Sequence, residues 1–154
     1  MYYASSSFTT SGNITDIFTL TGSSTRTVRI QRFLLTGSQT TGSYVNFDFT
    51  RRSTANSGGT STTLTNQVND TNFAAATATA RVYSANPTTG TTVGTMEYKL
   101  YIPDATDPNP GVILDEVFQN PIVLRGTSQV WALNFNNTAI TGGSFSATIL
   151  WTED

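Results

Sequence analysis

Asp115 and Glu116 are adjacent carboxylates, the residue type that glycoside hydrolysis uses in pairs, one as acid and one as base or nucleophile. They fall in the alternating stretch Val112–Phe118, which reads as a strand, so their side chains leave on opposite faces and cannot act together. Only carboxylates from separate strands can meet in that way. Asp104-Ala105-Thr106-Asp107-Pro108-Asn109 gathers Asp104, Asp107 and Asn109 on one short loop. Oxygen ligands suit hard cations, but the Gly and closing Glu of an EF-hand loop are missing, so the segment reads as a solvated turn. Gly37–Ser43 has the outline of a phosphate loop, yet it carries no Lys and precedes a strand. The chain contains no His and no Cys. That removes Ser-His-Asp and Cys-His nucleophiles, imidazole bases, thiolate metal sites and disulfides. No catalytic, cofactor-binding or metal-binding residue is assigned, and the chain is read as a non-enzyme without a cofactor.

The totals agree with a binding role. With 154 residues the chain suits one domain able to bury a core. Charged residues are 12%, whereas Thr (30) and Ser (15) together supply 45 of the 154 residues, so hydroxyls provide the polar surface. A net charge of −2 with scattered Arg offers no basic field for nucleic acid and no polybasic strip for anionic lipid. No apolar run is long enough to span a bilayer, and Met1–Ser7 lacks the basic and apolar regions of a signal peptide. Neither nucleic acid nor membrane is expected as a partner, and the protein is expected to be made and used without secretion by a signal peptide.

The elements that position these residues follow from hydrophobic alternation. Met1–Asn13 has no sustained period and is expected to be an extended arm that orders against a neighbour, with the folded domain running from residue 14 to 154. Ile14–Leu20 reads as a strand. In Arg26–Leu35, Val28, Ile30 and Leu34 share one parity and Phe33 and Leu35 fall on the other, which predicts a bulge or a strand buried on both sides at its end. Val45, Phe47 and Phe49 alternate cleanly. Ser53–Asn72 reads as a long polar loop and a candidate contact loop. Ala74–Ser84 reads as a strand because Thr alternates with Ala, and Met96, Tyr98, Leu100 and Ile102 define another. Pro103–Gly111 is a loop. Ser128–Asn136 and Ser144–Thr152 alternate around Asn136-Asn137-Thr138 and Thr141-Gly142-Gly143, residues tolerant of positive φ, so they read as an antiparallel hairpin that closes the sheet. About eight strands with no helix predict an all-β, single-domain antiparallel sandwich of jelly-roll type.

Tyr44, Tyr83 and Tyr101 fall opposite the core positions of their strands. Amphipathic rings on an outer sheet face suit protein interfaces, so these three, with Tyr2 and Tyr3 on the arm, are the candidate contacts with other protein chains.

Arg51–Thr62, Ala75–Pro87, Pro121–Thr127 and Trp151-Thr152-Glu153, with the spacing between them, resemble a family of small β-rich proteins of tailed bacteriophages. The resemblance covers nearly the whole chain and implies a virion structural protein with the jelly-roll fold of trimeric capsid decoration proteins. The expectations it carries are a capsid decoration or cement role on the virion exterior, self-association as a homotrimer, and the major capsid protein as partner. A tail-associated adhesin that binds host glycan through Ser53–Asn72 and Pro103–Gly111 is the competing expectation.

Overall fold

A computed structural model describes residues 1–107 and 111–154. Its nine strands are β1 (Tyr2–Thr21), β2 (Thr27–Ser38), β3 (Ser43–Arg52), β4 (Thr60–Thr63), β5 (Gln67–Val68), β6 (Thr79–Ala85), β7 (Thr92–Ile102), β8 (Val112–Arg125) and β9 (Val130–Glu153). All named pairings are antiparallel, and the described residues contain no helix. The expected all-β antiparallel sandwich is what the chain forms.

Two long strands build both layers. The first half of β1 and the last half of β9 pair from Tyr2↔Trp151 to Thr10↔Gly143, and β2 and then β8 extend that layer from β9. The second half of β1 and the first part of β9 pair from Asp16↔Asn134 to Thr21↔Val130. There β3 and β7 extend the layer on the β9 side, and β6 and β4 on the β1 side. The strands pass from one layer to the other through register shifts between Thr10 and Phe18. Positive φ at Gly12 (82°), Asn136 (52°), Asn137 (56°) and Gly142 (59°) provides the turn of direction.

That geometry corrects three expectations. Met1–Asn13 is not a free arm: from Tyr2 onward it is the first half of β1, held by β9, with Ala4 fully buried. Its Ser and Thr alternate with Tyr2, Ala4 and Phe8, enough apolar surface once β9 lies alongside. The residues read as a closing hairpin are one 24-residue strand. Asn136, Asn137 and Gly142 do take positive φ, but β1 occupies the flank along which the two halves would have folded together, so they bend the strand and do not reverse it. Ser53–Asn72 is also not one long loop, since β4 and β5 form within it and pair with β6 and β1.

The core fills the space between the layers. Phe33 of one layer meets Phe49 (5.4 Å, 82°) and Trp131 (5.0 Å) of the other, and Phe118 reaches Phe49 at 5.8 Å. The predicted bulge in β2 lies at Gln31, where both flanking registers shift, which lets Val28 and Ile30 before it and Phe33 and Leu35 after it all point inward.

Candidate functional site

The layers are joined by continuous backbone at the β1/β9 corner and end as separate edges at the other side. Among the described residues, β7 pairs as a strand only with β3, and β8 only with β2. Where the two edges face each other, a groove of about 420 Å³ opens, lined by Phe49, Arg51, Met96, Pro121, Ile122 and Val123 among others. Alternation turns Met96 toward the core, in register with the buried Phe49, yet Met96 is 42% exposed because no strand covers it from the β8 side. Val93, Val112 and Val117 are exposed on the same two strands. Tyr98 on β7 and Glu116 on β8 face each other across the opening. Burial first, then the neighbouring Glu116 carboxylate, push the Tyr98 phenol up to about 12.

The two edges differ in chemistry. Four residues of β8, Phe118–Pro121, stand against Gln31 alone, a bulge that includes a proline without an N–H. Asp115 is clamped by Arg32 through two hydrogen bonds of 2.7 and 2.6 Å, and that bond holds its carboxyl below the ordinary range despite some opposing desolvation. Bulge, proline and charge are the usual protections of an edge strand. On β7, Thr92–Met96 carries no charge and no proline, and nothing stands within 4 Å of a Cβ built on Gly94.

The outer face of the β3/β7 ladder adjoins this edge. Tyr44 pairs with Tyr101, their rings 5.4 Å apart at 63°, and Tyr44 is 67% exposed. Asn46 pairs with Lys99, and Asp48 with Glu97. Asp48 and Glu97 are like charges directly opposite, an unfavourable pair. Desolvation, and then Glu97, raise the Asp48 carboxyl above its ordinary value. The sequence placed Asp115 and Glu116 on opposite faces, as they are; the pairing of Asp48 with Glu97 depends on the β3/β7 register, for which no local signal exists. Both lie along a shallow polar groove of about 330 Å³ that also includes Asn46, Tyr98, Lys99 and Asn136.

The other tyrosines are placed differently. Tyr2 is buried, stacks on Trp151 at 6.0 Å, donates to the Ala74 carbonyl at 2.9 Å and accepts from Arg26 at 3.2 Å. It is an internal residue and not an outward contact. Tyr3, next to it on β1, is half-buried. Tyr83 does lie opposite its strand's core positions, but it is only 7% exposed. Segments 53–59 and 86–91 fold across that outer face, bridged to each other by Ser57 and Thr88, with Asn56 reaching Asp16 at 2.7 Å.

Beneath those segments lies a polar cluster that the sequence reading did not find. Asp16 and Arg52, with side chains 0% and 4% exposed, form two hydrogen bonds of 2.6 Å. Asn56 and Asn134 also donate to Asp16, and Arg52 reaches the Gly90 carbonyl and Thr92. The charged groups are engaged within the chain, so the cluster locks the fold. Glu153 does the same at the other end of β9. Its side chain is fully buried, which pushes its carboxyl up, but donation from the Thr77 hydroxyl, the Ala78 and Thr77 amides and the Trp151 indole outweighs burial and holds it below the ordinary range.

On the Asp104–Asn109 loop, Asp104 accepts from the amide and hydroxyl of Thr106 at 2.8 and 2.6 Å, an internal turn. Pro108, Asn109 and Pro110 lie outside the described residues. Among the described residues no cluster of three or more acidic side chains is arranged to hold a metal ion. Comparison of the chain with protein-family models, with curated proteins and with solved structures returned no match.

Proposed function

We propose that the protein is a virion structural protein of a tailed bacteriophage, a decoration or cement protein that binds the outside of the assembled capsid and stabilises it through contacts between protein surfaces. The observation that carries this reading is the open side of the sandwich. Two sheet edges end there beside an apolar groove, and Met96, Val93, Val112 and Val117 are left exposed on them. Exposed edge and apolar surface grouped together mark sites of protein association. The resemblance of Arg51–Thr62, Ala75–Pro87 and Pro121–Thr127 to tailed-phage proteins supplies the setting.

The mechanism is mass action. A protein that binds the closed lattice and not its separated subunits stabilises the lattice in proportion to its occupancy. Backbone pairing and apolar contact supply the binding, and with charged residues at 12% of the chain those contacts lose little strength in salt.

The test is its place in a particle. Mass spectrometry of purified virions is expected to find the chain in stoichiometric amounts, electron cryomicroscopy to find it on the outer capsid surface, and stripped particles to disassemble at lower temperature until it is added back. Its absence from virions, or density confined to the tail together with glycan binding, overturns the proposal.

A further inference from the structure

We infer that β7 is a self-pairing edge: two copies of this chain join antiparallel about a two-fold axis through Tyr98, extending the β3/β7 layer into one continuous sheet across the pair. The inference concerns self-association and stands whether or not the protein sits on a capsid.

Three observations converge on a second copy as the occupant. β7 is an edge of its layer, 11 residues long, and all positions from Thr92 to Glu97 are exposed. Glu97 already faces Asp48 on its inner side, so a strand added on the outer side is favoured if it presents a cation there. Lys99 is the one lysine of the chain and forms no ion pair among the described residues.

Register then selects the partner. In an antiparallel self-pair, residues of the same parity must stand opposite, so that side chains share faces, and the axis passes through a single residue. Centred on Glu97, the pairing sets two glutamates against each other, and centred on Lys99, two lysines. Centred on Met96, it sets Glu97 against Thr95 and Lys99 against Val93. Centred on Tyr98, it sets Glu97 against Lys99 of the second copy, and by symmetry does so twice. The same register places Met96 opposite Leu100 and Gly94 opposite Ile102 on the core-facing side, and Thr95 opposite Tyr101 beside Tyr44 on the outer side. It ends at Pro103, which has no N–H to continue the ladder. Charges on an edge strand ordinarily discourage pairing; here Glu97 and Lys99 reject other registers and accept this one.

The experiment uses charge reversal with rescue, read by sedimentation equilibrium and native mass spectrometry. The full chain is expected to be a dimer. Glu97→Lys alone sets a new lysine against Lys99 of the second copy, and Lys99→Glu alone sets a new glutamate against Glu97. Each is expected to raise the dimer dissociation constant about tenfold or more. Mixing the two variants restores both opposite-charge pairs, and a one-to-one heterodimer of wild-type affinity is expected. The double exchange Glu97→Lys/Lys99→Glu in one chain restores the homodimer and controls for folding, with circular dichroism unchanged. A monomeric wild type overturns the inference, as does a trimer indifferent to both reversals or a mixture that fails to associate.

Discussion

The sandwich has one side closed by backbone and one closed by side chains. At the β1/β9 corner the two longest strands run through both layers; Trp151 and Ala4 are covered there, and the Asp16–Arg52 pair and the Glu153 carboxylate are buried with hydrogen-bond partners. At the β7/β8 side no ladder joins the layers among the described residues. Ring contacts such as Phe49–Phe118 bridge them, Tyr98 faces Glu116, and apolar side chains stay exposed. The difference separates two roles. Polar groups sealed behind continuous backbone hold the domain in one conformation, while unpaired backbone on the other side remains available to another chain.

The largest effect that would break this comparison belongs to Arg52. Arg52→Ala leaves the buried Asp16 carboxylate without its cation, and such a loss costs about 3–5 kcal/mol, to be read from urea denaturation. A change close to zero would mean that the corner is not what holds the fold. Next is Glu153→Gln, which places an amide among four donors and is expected to cost about 1–3 kcal/mol. Because the folded Glu153 carboxyl lies below its ordinary value, its stabilisation is complete above the unfolded pKa and is lost as pH falls through the folded one. Stability of the wild type therefore drops on acidification more steeply than that of Glu153→Gln, and parallel curves would refute the assignment. The smallest effect is expected on the open side. Tyr98→Phe removes the hydroxyl that faces Glu116 and is expected to cost about 1 kcal/mol or less. With the phenol raised to about 12, Tyr98 supports folding fully below the unfolded tyrosine value near 10 and loses that contribution as pH climbs toward 12. The alkaline limb of the stability curve is expected to flatten in Tyr98→Phe, and thermal unfolding against pH checks it.

Much of the fold was legible because alternation reports burial directly. Val45, Phe47 and Phe49 point inward as their spacing requires, and the mixed parity of Arg26–Leu35, which left a bulge or two-sided burial open, resolves as a bulge at Gln31. The candidate contacts were legible only in part. Tyr44 and Tyr101 lie exposed where the pattern put them, while Tyr83, on an equally outward position, is buried and lines a cavity together with Ala55 and Asn56. Outward from a strand means solvent only if no loop returns across it. Tyr2 escaped the reading because a stretch rich in Ser and Thr shows too little apolar contrast to reveal the strand that holds it.

The order of residue types along this chain determined by itself that it would be an all-β, helix-poor domain with no imidazole or thiol chemistry, since period-two burial and the absence of His and Cys are properties of the string. Tertiary structure decided whether Asn136, Asn137 and Gly142 reverse a strand or bend it, which carboxylate stands beside Asp48, and which edge is left bare. Those outcomes depend on pairing between residues far apart in the chain, such as Asp48 with Glu97 and Asp16 with Asn134. Register is set by the whole sheet, and only when every strand has found its partner does an edge remain.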